Sequence, residues 1–199
     1  MATAAAVTFA GGRIDALVRS EGAVLTTREP EATLFGVGQA RRLLRTSAFA
    51  ILHVVFAPTA PRPALLGWVR LQNETNEPLA LEYTETWDVP AGEYRVAPAA
   101  CERRFGGHVL ALAEASAVSR AIAPDVAPTR GLALDVTLAI PPGARRHLAW
   151  AYVAVAEEED PGELVRAWRG EIVDELLRAG RAVGSVEAYR DLGRYPPPR

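Results

Sequence analysis

The segment LALDVTLAI, residues 132–140, carries a large apolar side chain at every second position. Successive side chains of a strand point to opposite faces, so this pattern places all five of them on one face. The chain then turns at PPG, residues 141–143, and returns as the apolar segment 147–156. The two segments predict a strand pair with one face in a hydrophobic core.

Similar short runs fill most of the chain before residue 157. Segment 48–57, AFAILHVVFA, is apolar on both faces and predicts a strand buried between two layers. Segments 64–73 and 79–89 are joined by the polar connection ETNEP, which predicts a β-hairpin. Segment 33–46 fits either a glycine-bent strand or a short helix. Many short strands without alternating helices predict a mainly β protein, an antiparallel β-sandwich.

The pattern changes after residue 157, where apolar residues recur at helical spacing. We predict one amphipathic helix from Pro161 to about residue 179, capped by Asp160 and stopped by Gly180. The stripe expected to pack on a sheet consists of Leu164, Trp168, Ile172 and Leu176. The predicted organisation is a sandwich domain at 1–160, followed by the C-terminal helix and an extended Pro-rich tail at 161–199.

Composition excludes several classes of function. The formal net charge is −2, with acids and bases mixed along the chain, which argues against nucleic acid as the partner. All 22 basic residues are arginine, a bias typical of GC-rich bacterial genomes. Cys101 is the single cysteine, so no intrachain disulfide is possible. With neither a signal peptide nor a run of the ~20 apolar residues needed to span a membrane, we expect a soluble, cytoplasmic protein.

Motifs for catalysis and metal binding are missing from the sequence. His53, His108 and His147 are far apart and have no ligand-spaced neighbours, and GVGQAR lacks the third glycine of a dinucleotide fingerprint. We therefore expect no metal, no cofactor and no enzymatic activity. His53 lies within an apolar strand, where a core histidine is the favoured interpretation, and Cys101 is interpreted as a packing residue.

Glu85 is the one acidic residue on the apolar face of segment 79–89, between Tyr83 and Trp87. A carboxylate in that position needs a partner, so we expect Glu85 to be buried and paired with an arginine. The alternative is a ligand-binding site formed by Tyr83, Glu85 and Trp87, because aromatic faces stack on sugar rings while an acid binds hydroxyls. Glu82 and Asp88 belong to the opposite, polar face.

Segment 68–89, WVRLQNETNEPLALEYTETWDV, resembles part of the N-terminal β-sandwich domain of cellobiose-phosphorylase-type carbohydrate-active enzymes. Segment 151–168, a last strand running into an acidic helix start, is similar in kind. The resemblance implies a sandwich fold and an accessory role. In that family a helical barrel supplies the catalytic acid, and 199 residues leave no room for one here.

Three functional hypotheses follow. The first is a non-catalytic subunit or accessory protein that docks onto a larger protein complex. The C-terminal tail would contact this partner through Tyr189, Arg190, Arg194 and Tyr195, because tyrosine and arginine are favoured interface anchors. The second is a carbohydrate-binding module. An enzyme whose site is assembled from scattered residues ranks last.

Overall fold

A computed structural model describes residues 13–20, 23–36, 38–59, 64–116, 121–124 and 131–182. The first six strands are β1 (Ile14–Ser20), β2 (Ala23–Thr26), β3 (Ala32–Gly36), β4 (Gln39–Arg45), β5 (Phe49–Phe56) and β6 (Ala64–Asn73). The next six are β7 (Leu79–Trp87), β8 (Glu93–Ala97), β9 (Ala100–Phe105), β10 (His108–Glu114), β11 (Leu132–Ile140) and β12 (Arg145–Ala156). Two helices follow, α1 (Pro161–Trp168) and α2 (Ile172–Ala182).

The strands form two antiparallel sheets. The small sheet has the order β11-β7-β1-β2, and the large sheet has the order β3-β4-β5-β6-β12-β10-β9-β8. Side chains and backbone groups join the sheets at both sides: Arg42 Nη1 donates to the carbonyl of Ile14 at 2.6 Å, and Arg103 Nε donates to the carbonyl of Gly131 at 2.7 Å. Strand β1 therefore lies over β4, and β11 lies over β9. The predicted mainly β sandwich fold is confirmed.

Alternation along the strands builds the core between the sheets. The inward face of β11 contributes the five apolar residues that the sequence pattern placed together, and all are buried. Facing them from the large sheet are the inward residues of β5, β6, β10 and β12, among them Trp150 and Tyr152. Segment 48–57 is indeed a strand buried on both faces, because the opposite face of β5 belongs to a second core.

The second core lies between the large sheet and the two helices. Val165 and Trp168 of α1 and Ile172 and Leu176 of α2 pack against β5, β6, β10 and β12. Leu164 is only partly buried at its margin. The molecule thus has three layers: small sheet, large sheet and helices. The division into domains at residue 160 stays a prediction.

The predicted single helix is wrong, because the segment forms two helices. It begins as expected, with Pro161 in the first turn and the Asp160 side chain accepting a hydrogen bond from Gly162 N. The break comes at Gly170, whose φ of 82° is left-handed and ends a helix without steric cost in glycine. The Gly170 amide donates to the Ala115 carbonyl, which holds the break against the large sheet. The predicted stop at Gly180 is also wrong, since α2 extends to Ala182.

The predictions that segments 64–89 and 132–156 each form a pair of neighbouring strands are both wrong, for the same reason. Strands β6 and β7 lie in different sheets, and so do β11 and β12, so both connections cross from one sheet to the other. Asn73 joins the two crossings. Its Nδ2 donates to the carbonyls of Glu77, Ile140 and Pro141 at 2.7–3.1 Å. A buried amide with several backbone partners therefore replaces the hairpin turn that polar loop residues had suggested.

Segment 33–46, left open between strand and helix, forms the hairpin β3–β4. Gly38, with φ of 69°, lies in its turn.

Helix α2 is anchored by Glu175, which is fully buried and accepts hydrogen bonds from the Thr59 backbone amide and hydroxyl. Arg178 Nη1 lies 2.6 Å from the other Glu175 oxygen.

Candidate functional site

Glu85 is the centre of a buried polar cluster between the two sheets. The pleat of β7 turns its side chain inward with Tyr83 and Trp87, toward β5 and β12 of the large sheet. The carboxylate accepts hydrogen bonds from the hydroxyls of Tyr83 and Tyr152. His53 Nε2 lies 3.0 Å from Glu85 Oε1. One carboxylate thus joins three side chains from three strands.

Aromatic rings enclose this cluster. Tyr83 stacks on Trp150 with ring centroids 5.9 Å apart, and Trp87 meets Tyr152 edge-on at 6.0 Å. Gly67 on β6 makes room for the arrangement, because a Cβ there would lie 2.8 Å from the Tyr152 hydroxyl. All four rings are buried. Water has no access to the carboxylate along these faces, so the hydrogen bonds form in a medium of low polarity.

Burial and the carboxylate change the ionisation of both phenols. The pKa of Tyr83 is raised well above its usual value, first by burial and next by the negative charge of Glu85. The pKa of Tyr152 is raised for the same two reasons. Both hydroxyls therefore remain protonated donors at any ordinary pH.

The predicted burial of Glu85 is confirmed, but the predicted arginine partner is wrong. Its exposed fraction is 0%, and its partners are His53 and two tyrosines. His53 is the core histidine that its apolar surroundings indicated, although its Nδ1 has no hydrogen-bond partner in the described part of the chain. Alternation along one strand showed which way Glu85 points, but it carried no signal for which strand of the other sheet lies opposite.

Tyr83, Glu85 and Trp87 do lie together, as the sequence predicted, but inside the sandwich. Their exposed fractions do not exceed 1%. A sugar could reach them only if the sheets separated, so burial favours the structural interpretation of these residues. Ligand binding by the three stays an untested prediction. The proposed partner-binding residues Tyr189, Arg190, Arg194 and Tyr195 lie outside the described residues.

Cys101 is a buried thiol of the sandwich core. Its Sγ donates to the carbonyl of Ala133 on β11 at 3.3 Å. Burial raises its pKa to about 12, so the reactive thiolate is suppressed. Among the described residues, no three His, Cys, Asp or Glu side chains come together as a metal site would require.

Strand β3 presents an apolar edge to solvent. It is an edge strand of the large sheet. Residues 32–35 are all exposed, so both faces of the strand are open to solvent. Leu34 is 63% exposed on one face and Phe35 is 81% exposed on the other. The opposite border of the same sheet, β8, carries Glu93 and Arg95, which form an ion pair at 2.8 Å. Charged side chains discourage edge-to-edge pairing, and β3 has none.

A pocket with polar and apolar lining lies on the outer face of the small sheet. It has a volume of about 370 Å³. Its described lining residues are Arg19, Ser20, Ala80, Leu81, Glu82 and Thr137. The Ser20 hydroxyl donates to the Ala80 carbonyl at 3.2 Å. Glu82 belongs to the polar face that the sequence pattern assigned to β7, but nothing in the sequence indicated a pocket there.

Neither of the two helices in the described ranges combines the length and the apolar character needed to span a bilayer.

The chain matches no protein-family model, and it matches no curated protein. Among solved structures, the fold resembles that of a polysaccharide lyase, with a TM-score of 0.52 and 16% identity over 76% of this chain. It also resembles a protein assigned as a kojibiose phosphorylase from the human microbiome, with a TM-score of 0.51 and 7% identity over 87% of this chain.

The chain spans about a quarter of each of these structures, 27% of the first and 25% of the second. Identity this low establishes a likeness of fold and leaves activity open. The predicted resemblance to a domain of carbohydrate-active enzymes is confirmed at that level. The chain has the fold of a β-sandwich domain that occurs within larger carbohydrate-active enzymes.

Proposed function

We propose that the chain is a non-catalytic β-sandwich domain that docks onto a larger protein assembly through the edge of β3. The observation that carries this proposal is the apolar, uncharged β3 edge with Leu34 and Phe35 exposed on opposite faces. Such an edge presents unpaired backbone groups and apolar side chains together, which is the surface that a strand from another protein can extend.

The buried cluster supports the non-catalytic part of the proposal. Glu85 and His53 are the pairing of acid and imidazole that could serve acid–base chemistry, but both are at most 1% exposed. The carboxylate already accepts hydrogen bonds from the hydroxyls of Tyr83 and Tyr152, and its Oε1 lies 3.0 Å from His53 Nε2. A catalytic group must reach the proton that it transfers, and no substrate can approach this one while the sheets are closed.

The test compares two matched substitutions on opposite edges of the large sheet. A tagged chain is expressed in cells of the source organism, cross-linked mildly and purified, with Phe35→Ser and Val96→Ser as variants. Val96 is the control because it is 52% exposed on β8. We expect the wild type and Val96→Ser to retain the same partner and Phe35→Ser to lose it. Equal retention by all three proteins would refute docking at β3.

A carbohydrate-binding module is the second candidate. Two observations favour it: the fold occurs in carbohydrate-active enzymes, and the outer face of the small sheet has a pocket lined in part by Arg19, Glu82 and Thr137. Affinity electrophoresis in gels containing soluble polysaccharides tests the candidate directly, because a binding module migrates more slowly in the gel that contains its ligand. Unchanged migration in every gel would argue against it.

A further inference from the structure

We propose that the pocket on the outer face of the small sheet binds a neutral, polyhydroxylated ligand through Arg19, Glu82 and Thr137. This inference rests on the carbohydrate-binding candidate and adds the location and the ligand class. The pocket is on the solvent side of β7, whereas Tyr83, Glu85 and Trp87 lie on the buried side.

Strand register places the three polar side chains in one row. Arg19 on β1 is directly opposite Glu82 on β7, and Glu82 is directly opposite Thr137 on β11. Residues paired in this way point to the same face of a sheet. Neighbouring strands are about 4.8 Å apart, so the row extends over about 10 Å. That distance is comparable with the length of two linked sugar rings.

The charged members of this row are not paired with each other. Arg19 and Glu82 form no hydrogen bond or ion pair through their side chains within the described part of the chain, although they are cross-strand neighbours. The next row on the same face differs, since the Thr84 hydroxyl donates to Asp135 at 2.6 Å. The donors of Arg19 and the acceptors of Glu82 are therefore open to a ligand.

The chemistry of the row suits hydroxyl groups. A guanidinium offers a fork of donors to adjacent hydroxyl oxygens, and a carboxylate accepts from two neighbouring hydroxyls. Thr137 can donate or accept. The exposed Ala80 supplies a small apolar part of the wall, against which the C–H face of a ring can pack. This combination of donors, acceptors and a small apolar surface is complementary to a saccharide.

Charge selects a neutral ligand over an acidic one. The positive charge of Arg19 and the negative charge of Glu82 cancel within the pocket, so a neutral ligand leaves no net charge uncompensated. An anionic sugar could pair with Arg19 but would meet Glu82 one strand away, at about 5 Å. The volume of about 370 Å³ lies within the range of small-ligand sites.

The experiment is an NMR titration of the ¹⁵N-labelled full chain with cellobiose, kojibiose and glucuronate. We expect one or both neutral disaccharides to bind, with a Kd in the millimolar range, and glucuronate to bind at least tenfold more weakly. Arg19→Ala and Glu82→Gln should each raise the Kd by tenfold or more, the change expected for losing a hydrogen bond to a charged group. Arg166→Ala is the control, because this exposed arginine lies on α1 in the helical layer.

Three other results would each be decisive. Disaccharide binding that is unchanged in Arg19→Ala and Glu82→Gln would overturn the pocket assignment while leaving a carbohydrate-binding module in place. Glucuronate binding as tightly as the disaccharides would overturn the neutral-ligand class. No chemical-shift change with any of the three probes at about 50 mM would overturn both this inference and the candidate function on which it rests.

Discussion

Replacing Glu85 with leucine tests whether the buried cluster stabilises the sandwich through its hydrogen bonds. The substitution places an apolar side chain of similar size between the sheets and removes the hydrogen-bond partner of Tyr83, Tyr152 and His53. Each buried polar group left without a partner costs about 1–3 kcal/mol. Burial of the leucine side chain returns about 1.5–3 kcal/mol. At mid-range values, the three unpaired groups cost about 6 kcal/mol and the leucine side chain regains about 2 kcal/mol. We therefore expect the free energy of unfolding to fall by about 4 kcal/mol, a large part of a domain's typical 5–15 kcal/mol.

The measurement is urea unfolding at pH 7, followed by tryptophan fluorescence, since Trp150 stacks on Tyr83 within the cluster. Glu82→Leu is the matched control: it is the same substitution on the same strand at an exposed position, and it should change the free energy by less than about 0.5 kcal/mol. If the free energy of unfolding fell equally in both variants, the cause would be a general effect of leucine on β7.

A triple variant separates lost hydrogen bonds from lost packing. Adding Tyr83→Phe and Tyr152→Phe to Glu85→Leu removes the two orphaned hydroxyls. Replacing both partners of a buried hydrogen bond with apolar groups of the same shape is nearly neutral, so the triple variant should be more stable than the single one. The reasoning is refuted if the triple variant is less stable than Glu85→Leu. It is also refuted if the free energy of unfolding of Glu85→Leu differs from that of the wild type by less than about 0.5 kcal/mol.

The remaining predictions concern ionisation and packing. Tyr83 and Tyr152 have raised pKa values in the folded state, so the stability they provide is present below pH 10 and should be lost as pH rises further. Urea unfolding at pH 8–11 should show this decline, and the double Tyr→Phe variant should show a shallower one. Cys101, with a pKa of about 12, should react with a thiol reagent at pH 8 only after unfolding. Trp168→Ala, at a fully buried site, should lower stability by about 3–5 kcal/mol in thermal or urea unfolding. An unchanged melting temperature would mean that α1 is not held by that ring.

The alternation of apolar and polar residues predicted much of the fold, because the buried face of a strand is marked in the sequence of that strand alone. The faces of β7 and β11, the doubly buried β5 and the buried position of Glu85 all followed from it. The pairing of strands did not follow from this alternation. A polar connection such as 74–78 can have the same kind of sequence whether it forms a hairpin or crosses between sheets. The difference lies in Asn73, whose amide bonds to backbone from both crossings.

Features of the candidate sites depended on contacts between distant segments. His53 and Glu85 come from different sheets, and the row Arg19–Glu82–Thr137 joins three strands that are remote in sequence. A periodic pattern assigns each side chain to a face but carries no information on what lies across from it. The break at Gly170 was missed for another reason: the apolar stripe continues through it, while the left-handed backbone interrupts the helix.

The order of strands in the small sheet has a consequence for how the protein folds. Its central strand β7 pairs with β1 and β11, so that Val18 meets Tyr83 and Tyr83 meets Val136. Contacts between such remote positions give a high contact order, and proteins dominated by them fold in milliseconds to seconds because long loops must close first. Strand β1 can pair with β2, its neighbour in sequence, early in synthesis. Its pairing with β7 can form only after the chain has been synthesised beyond β7.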